Sequence, residues 1–214
     1  MLSRDFEICF IIDLCVSMTE WIENFKKIAI PTIQKIKKQN MWINIRVAFI
    51  GYRNVYHSTP YEIVKFTEDL QTLQAKLLGI KASGGEGCKN LNDVYHHAYK
   101  LDWCSNNKLI IHVGDSPNHG IKYHEKNYPD IFPLKDDHHF PLELHVKRMA
   151  RDGFYLYLFK LNNHTDKTFE IIQNTYMMNC IHDQRFAIRD LVINPGMFDE
   201  LIKRSIHELF YRAS

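Results

Sequence analysis

The feature that most constrains the fold is residues 6–12, Phe-Glu-Ile-Cys-Phe-Ile-Ile, which stop abruptly at Asp13. A short apolar run with polar bounds reads as a strand buried on both faces. A carboxylate at the C-terminal end of such a strand does not serve the core. Leu14-Cys15-Val16-Ser17 follows, and the first helical pattern begins right after it. The polar loop therefore lies between a strand end and a helix start, where open α/β sheets bind ligands.

A second apolar run, residues 108–114, also ends on a carboxylate, Asp115. Further strands are predicted at 43–53, 61–66, 154–161 and 185–191. The strand at 61–66 is short and alternating, which suits an antiparallel edge. Helical spacing marks 18–39, 67–79, 92–101, 141–150 and 165–173. Pro31 predicts a kink or break near Ile30. A last helix opens with Asn194 as cap and Pro195 at its first position. This alternation predicts an α/β fold, a Rossmann-like doubly wound and mainly parallel six-stranded sheet with helices on both faces. No repeat or linker interrupts it, so residues 1–214 read as a single domain.

Charge narrows the partners. Lys plus Arg is 27 and Asp plus Glu is 25, a net charge of +2. That balance argues against nucleic-acid and membrane partners. No apolar run has the length of a membrane span, and residues 1–5 are too short and polar for a signal peptide. The five cysteines are an odd number without zinc-site spacing. They read as reduced thiols, which implies a cytoplasmic protein.

Two loops stand out. Ser83-Gly84-Gly85-Glu86-Gly87-Cys88 is glycine-rich but lacks the spacing of a P-loop or dinucleotide loop. Residues 116–139 are too long for a simple connection, as functional loops often are. His119, His124, His138, His139 and His145 surround that segment. Their spacing matches no helical metal motif, so solvated loop histidines are expected, with a zinc site as the alternative. His112 reads as a core histidine. Tyr155 and Tyr157 read as strand packing.

The strand, Asp13-x-Cys15-x-Ser17 and the following helix resemble the metal-ion-dependent adhesion site of von Willebrand factor type A domains. The subgroup that looks closest is the type A domain found with α-kinases. Three further stretches fit it: Phe49-Ile-Gly-Tyr-Arg53, the Ser83-Gly-Gly85 loop leading to Asp93-Val94, and Gly114-Asp115-Ser-Pro-Asn-His-Gly120 with Tyr123-His124 beyond. The resemblance implies a non-catalytic protein-binding module. Its divalent cation, Mg²⁺ or Mn²⁺, would be completed by an acidic side chain of a partner protein. The oligomeric state is not specified. Asp13, Ser17 and Asp115 are the implied ligands, with Cys15, Ser83 and Glu86 as further candidates. A hard cation suits this largely oxygen set.

Cys15 stands where the family has a hydroxyl, and a thiol is a poor ligand for Mg²⁺. Two other outcomes therefore stay open: a metal-free scaffold whose site has decayed, and a phosphohydrolase using Asp13. Against the latter, Cys15 occupies the position where a haloacid-dehalogenase-type phosphatase needs its second Asp. Local chemistry also offers non-functional readings. Ser17 and Glu20 fit a capping box, and both aspartates could bond loop amides.

Overall fold

A computed structural model describes residues 5–85, 87–134, 141–180 and 182–212. Six strands form one sheet: β1 (Asp5–Asp13), β2 (Asn44–Tyr52), β3 (Tyr61–Thr67), β4 (Asn107–Gly114), β5 (Tyr155–Lys160) and β6 (Phe186–Asp190). They lie in the order β3-β2-β1-β4-β5-β6. β3 is antiparallel at one edge, as its alternation predicts, and every other pairing is parallel. The helices are α1 (Thr19–Gln39), α2 (Leu70–Gly79), α3 (Leu91–Tyr99), α4 (Leu142–Arg151), α5 (Asp166–Met177) and α6 (Phe198–Arg212).

The pleat of β1 divides its residues between two cores. Phe6, Ile8, Phe10 and Ile12 pack with the apolar stripes of α1, α2 and α6. Cys9 and Ile11 pack on the other face with those of α3, α4 and α5. Burial on both sides is why the strand reads as one continuous apolar run. Glu7 is the exception and is also buried. It forms an ion pair with Arg46 and accepts the amides of Cys104 and Ser105, each at 2.9 Å.

Several local expectations are corrected. α1 runs unbroken through Pro31. The ring removes the amide that would bond the Lys27 carbonyl, but Lys27 is on the exposed side, where water can take that place. α2 begins at Leu70 rather than at residue 67, capped by the Asp69 carboxylate on the Thr72 amide at 2.9 Å. Thr67 belongs to β3 instead. α5 continues past residue 173 because Tyr176 is buried and its hydroxyl donates to the Phe154 carbonyl. Asn194 holds a cap position without a side-chain cap bond, and Pro195 opens a 3-10 turn, Pro195–Met197, ahead of α6. Among the described residues, no helix is long and apolar enough to cross a membrane.

β1 pairs with β2 on one side and β4 on the other. The chain thus leaves the sheet centre in opposite directions, and a crevice opens beyond the C-terminal ends of β1 and β4.

Candidate functional site

Asp13 ends β1, and Asp115 follows the last residue of the adjacent β4. Their carboxylates converge with the Cys15 thiol: one donor atom from each of the three lies within 4.8 Å of the others. The approach requires Gly114, since a side chain there would run into the Tyr52 hydroxyl. That hydroxyl is fixed on His112 Nε2 at 2.8 Å, and Tyr95 meets Nδ1 at 3.1 Å. His112 is the satisfied core histidine expected from its strand.

Asp13 is fully buried. Its Oδ1 accepts the Cys15 amide at 2.9 Å, while its Oδ2, also out of contact with solvent, has no hydrogen-bond partner among the described residues. The local-amide reading therefore accounts for half of this carboxylate. Burial, together with the Asp115 charge, pushes the Asp13 carboxyl up to about 6. The Lys89 charge and the Cys15 hydrogen bonds pull the other way.

Ser17 does not form the capping box. It sits inside a 3-10 turn, Val16–Met18, that precedes α1, and neither helix start has a side-chain cap bond. Its Oγ instead lies 3.0 Å from Cys15 Sγ. Cys15 Sγ also approaches Asp115 Oδ1 at 3.7 Å. Burial and the two carboxylate charges push the Cys15 thiol far up, the opposite of an activated nucleophile. Asp115 is steadied locally: Ser116 donates to its Oδ1 at 3.0 Å, and Asn162 donates to its backbone carbonyl at 2.8 Å. Ser17, Asp115, Ser116 and Asn162 line an open cleft of about 630 Å³, with Gly87 and Glu125 on its rim.

The glycine-rich loop folds against this turn. The Ser83 amide donates to the Leu14 carbonyl at 2.8 Å. The Ser83 hydroxyl, however, accepts from Arg53 Nε at 2.8 Å and lies 3.3 Å from His57 Nε2, so it is not grouped with the two aspartates. Glu86 lies outside the described residues. Asp93 is engaged elsewhere, by Asn90 and Tyr61.

Sequence reasoning missed Lys89. It is fully buried, and its ammonium donates to the Gly85 carbonyl at 3.0 Å. Its backbone is clamped in a parallel bridge with Asn118, through the Pro117 carbonyl at 2.8 Å and the His119 amide at 3.0 Å. A lysine beside glycines reads as solvated, and only this bridge to a distant loop buries it. The histidines around the long segment are also not solvated: His119 and His124 are buried in the loop and His145 in α4, while His138 and His139 lie outside the described residues.

This architecture is the von Willebrand factor type A fold. Among solved structures, the pilus adhesin SpaC from Lactobacillus rhamnosus GG superposes with a TM-score of 0.66 at 12% identity, covering 98% of this chain and 30% of that one. The vWF domain of the type V pili tip protein Mfa5 from Porphyromonas gingivalis superposes with a TM-score of 0.59 at 12% identity, covering 98% and 97%. Likeness at this identity is one of fold. In sequence, the chain is similar to the alpha-protein kinase vwkA of Dictyostelium discoideum, 24% identical over 144 residues. That stretch is 66% of this chain and only 23% of the kinase. The relative agrees with the α-kinase-associated resemblance carried by the motif stretches. No family model matches the chain.

Proposed function

We propose that residues 1–214 act as one protein-binding module, and that the crevice beyond β1 and β4 holds a divalent cation, Mg²⁺ or Mn²⁺. The observation that carries this reading is the buried Asp13 Oδ2, left without a hydrogen-bond partner beside Asp115 and Cys15. A buried carboxylate oxygen with nothing to bond is unfavourable unless a cation joins it. Asp13, Asp115 and the Ser17 hydroxyl would hold the ion, a hard donor set with space for water. When bound, the ion supplies a positive charge that an acidic side chain of a partner protein can complete.

The chain's own residues prepare that surface. The Cys15 amide fixes the Asp13 carboxylate. Ser116 and Asn162 hold Asp115 at the cleft wall. Lys89, buried and bonded to the Gly85 carbonyl, contributes a positive charge that favours the ionised Asp13. The partner would dock on the rim formed by the glycine-rich loop and the segment after Asp115.

The same residues favour binding over turnover. The described partner of the Ser17 hydroxyl is a thiol rather than a base, and Cys15 is deactivated by its surroundings. Five unpaired cysteines are consistent with a cytoplasmic setting. A balanced charge supports a protein partner over nucleic acid or membrane.

Thermal or urea unfolding in EDTA and in millimolar Mg²⁺ tests the reading. At 100-fold excess over its dissociation constant the ion adds about 2.7 kcal/mol of stability. Asp13→Ala abolishes that gain. An equal gain in wild type and Asp13→Ala would place the metal elsewhere.

A further inference from the structure

Next in the chain to the cleft-lining Gly87, Glu125 and Pro129, Cys88 of the glycine-rich loop meets His124 and Asp130 of the segment after Asp115. One donor atom from each lies within 4.8 Å of the others. All three side chains are shielded: Cys88 and His124 are 2% and 3% exposed, and the Asp130 side chain 1%. The sequence hides this set, because its members are separated by 36 and 6 positions and no local spacing joins them.

The hydrogen-bond geometry orients the set. His124 Nδ1 lies 2.9 Å from the Glu125 carbonyl oxygen, which can only accept, so Nδ1 carries the ring proton. Nε2 then faces Asp130 Oδ2 at 3.0 Å. Two acceptors at that separation repel unless a positive charge lies with them, either a second ring proton or a metal ion.

We propose that Cys88 Sγ, His124 Nε2 and Asp130 Oδ2 form a second metal site, selective for a thiophilic divalent cation such as Zn²⁺. One thiolate, one imidazole and one carboxylate suit that borderline-soft ion and not Mg²⁺. Zinc bonds of about 2.0–2.3 Å in a tetrahedron set donors roughly 3.3–3.7 Å apart. The His124 Nε2–Asp130 Oδ2 separation of 3.0 Å is just short of that range, and all three donors lie within 4.8 Å of one another. Cys88 releases its proton to solvent as it binds, and a water completes the shell.

The outer hydrogen bonds are already built. The Glu125 carbonyl holds the ligand tautomer of His124. His119 Nδ1 at 2.6 Å and the Gly120 and Phe132 amides at 2.8 Å orient Asp130. Such outer partners fix ring and carboxylate for a metal. The site lies beside the Lys89–Asn118 bridge, so the ion would staple together the two loops that rim the crevice. It does not depend on a cation at Asp13.

Cobalt titration of the chelator-treated protein tests this, with Co²⁺ as a spectroscopic stand-in for Zn²⁺. With excess Mg²⁺ present to occupy the crevice, the expected result is near-ultraviolet thiolate-to-cobalt absorption that saturates at one equivalent. Cys88→Ser loses that absorption, Cys15→Ser keeps it, and His124→Gln weakens binding at least tenfold. Far-ultraviolet circular dichroism in EDTA confirms that the variants fold. A zinc K-edge spectrum of the wild type, showing one sulfur at about 2.3 Å, does not depend on any variant. A zinc shell without sulfur, no thiolate absorption in wild type, or absorption lost in Cys15→Ser but kept in Cys88→Ser would each overturn the proposal.

Discussion

Glu7 and Asp13 are two buried carboxylates on one strand and on one face of the pleat. Glu7, at the entry of β1, is matched on both oxygens by Arg46 and the amides of Cys104 and Ser105. Asp13, at the exit, is matched on one oxygen only. A satisfied buried charge is a structural joint. A half-satisfied one carries an energetic deficit that a ligand can remove. The same strand therefore ends in a joint at one end and in a candidate binding group at the other.

That contrast can be broken most strongly at Glu7. Glu7→Ala leaves two buried loop amides without their acceptor and strips Arg46 of its buried partner, leaving it only Asp102, and should destabilise the fold by about 3–5 kcal/mol. Urea denaturation reads this as a lower midpoint with an unchanged slope. A loss below about 1 kcal/mol would remove the distinction between the two ends.

A neutral group sharpens the comparison. His112 is bonded on both nitrogens, and burial lowers its pKa from 6.5 to about 3. Above pH 6.5 the ring is neutral in both states and its contribution is fully present. Below that, the unfolded chain takes up a proton that the folded ring refuses. Stability from this site then falls by about 1.4 kcal/mol per pH unit until pH reaches about 3. At pH 5 the loss is about 2 kcal/mol, and a His112→Gln variant should lack that component of the acid slope.

Asp13 predicts an effect of opposite sign to Glu7. Its carboxyl titrates at about 6 in the fold against 3.8 for the free group. The folded state thus favours the protonated form, and the charge at pH 7 is a net cost. Asp13→Asn in EDTA should stabilise the protein by about 1–3 kcal/mol at pH 7, the upper end being the full pKa difference, while removing its response to Mg²⁺. Destabilisation comparable to that of Glu7→Ala would make Asp13 a second joint. The smallest effect concerns Cys15. Cys15→Ser replaces a soft donor with a hard one, so Mg²⁺ should bind several-fold more tightly by calorimetry, with little change in unfolding without metal.

The exit was more legible in the sequence than the loops around it. Asp13 and Asp115 each end an apolar run, and a parallel sheet brings such ends together. β3 announced its edge position by alternation. Ser17 was ambiguous because Ser-x-x-Glu fits a cap as well as a ligand, and the 3-10 turn Val16–Met18 removes the cap reading. Lys89 and the Cys88, His124 and Asp130 set were illegible for one reason: their burial depends on a bridge between residues 89 and 118. No periodicity in either loop encodes that pairing. Composition alone suggests solvation for both.

The proposed function turns on Asp13 as a cation ligand. Electron paramagnetic resonance of free Mn²⁺, titrated into wild type, Asp13→Asn and Ser83→Ala, tests it most directly. The Ser83 hydroxyl is bonded to Arg53, so that variant is the control. Wild type and Ser83→Ala should each remove one Mn²⁺ per chain from the free pool, and Asp13→Asn should remove none at the same concentration. Equal Mn²⁺ uptake by Asp13→Asn and wild type would contradict the account.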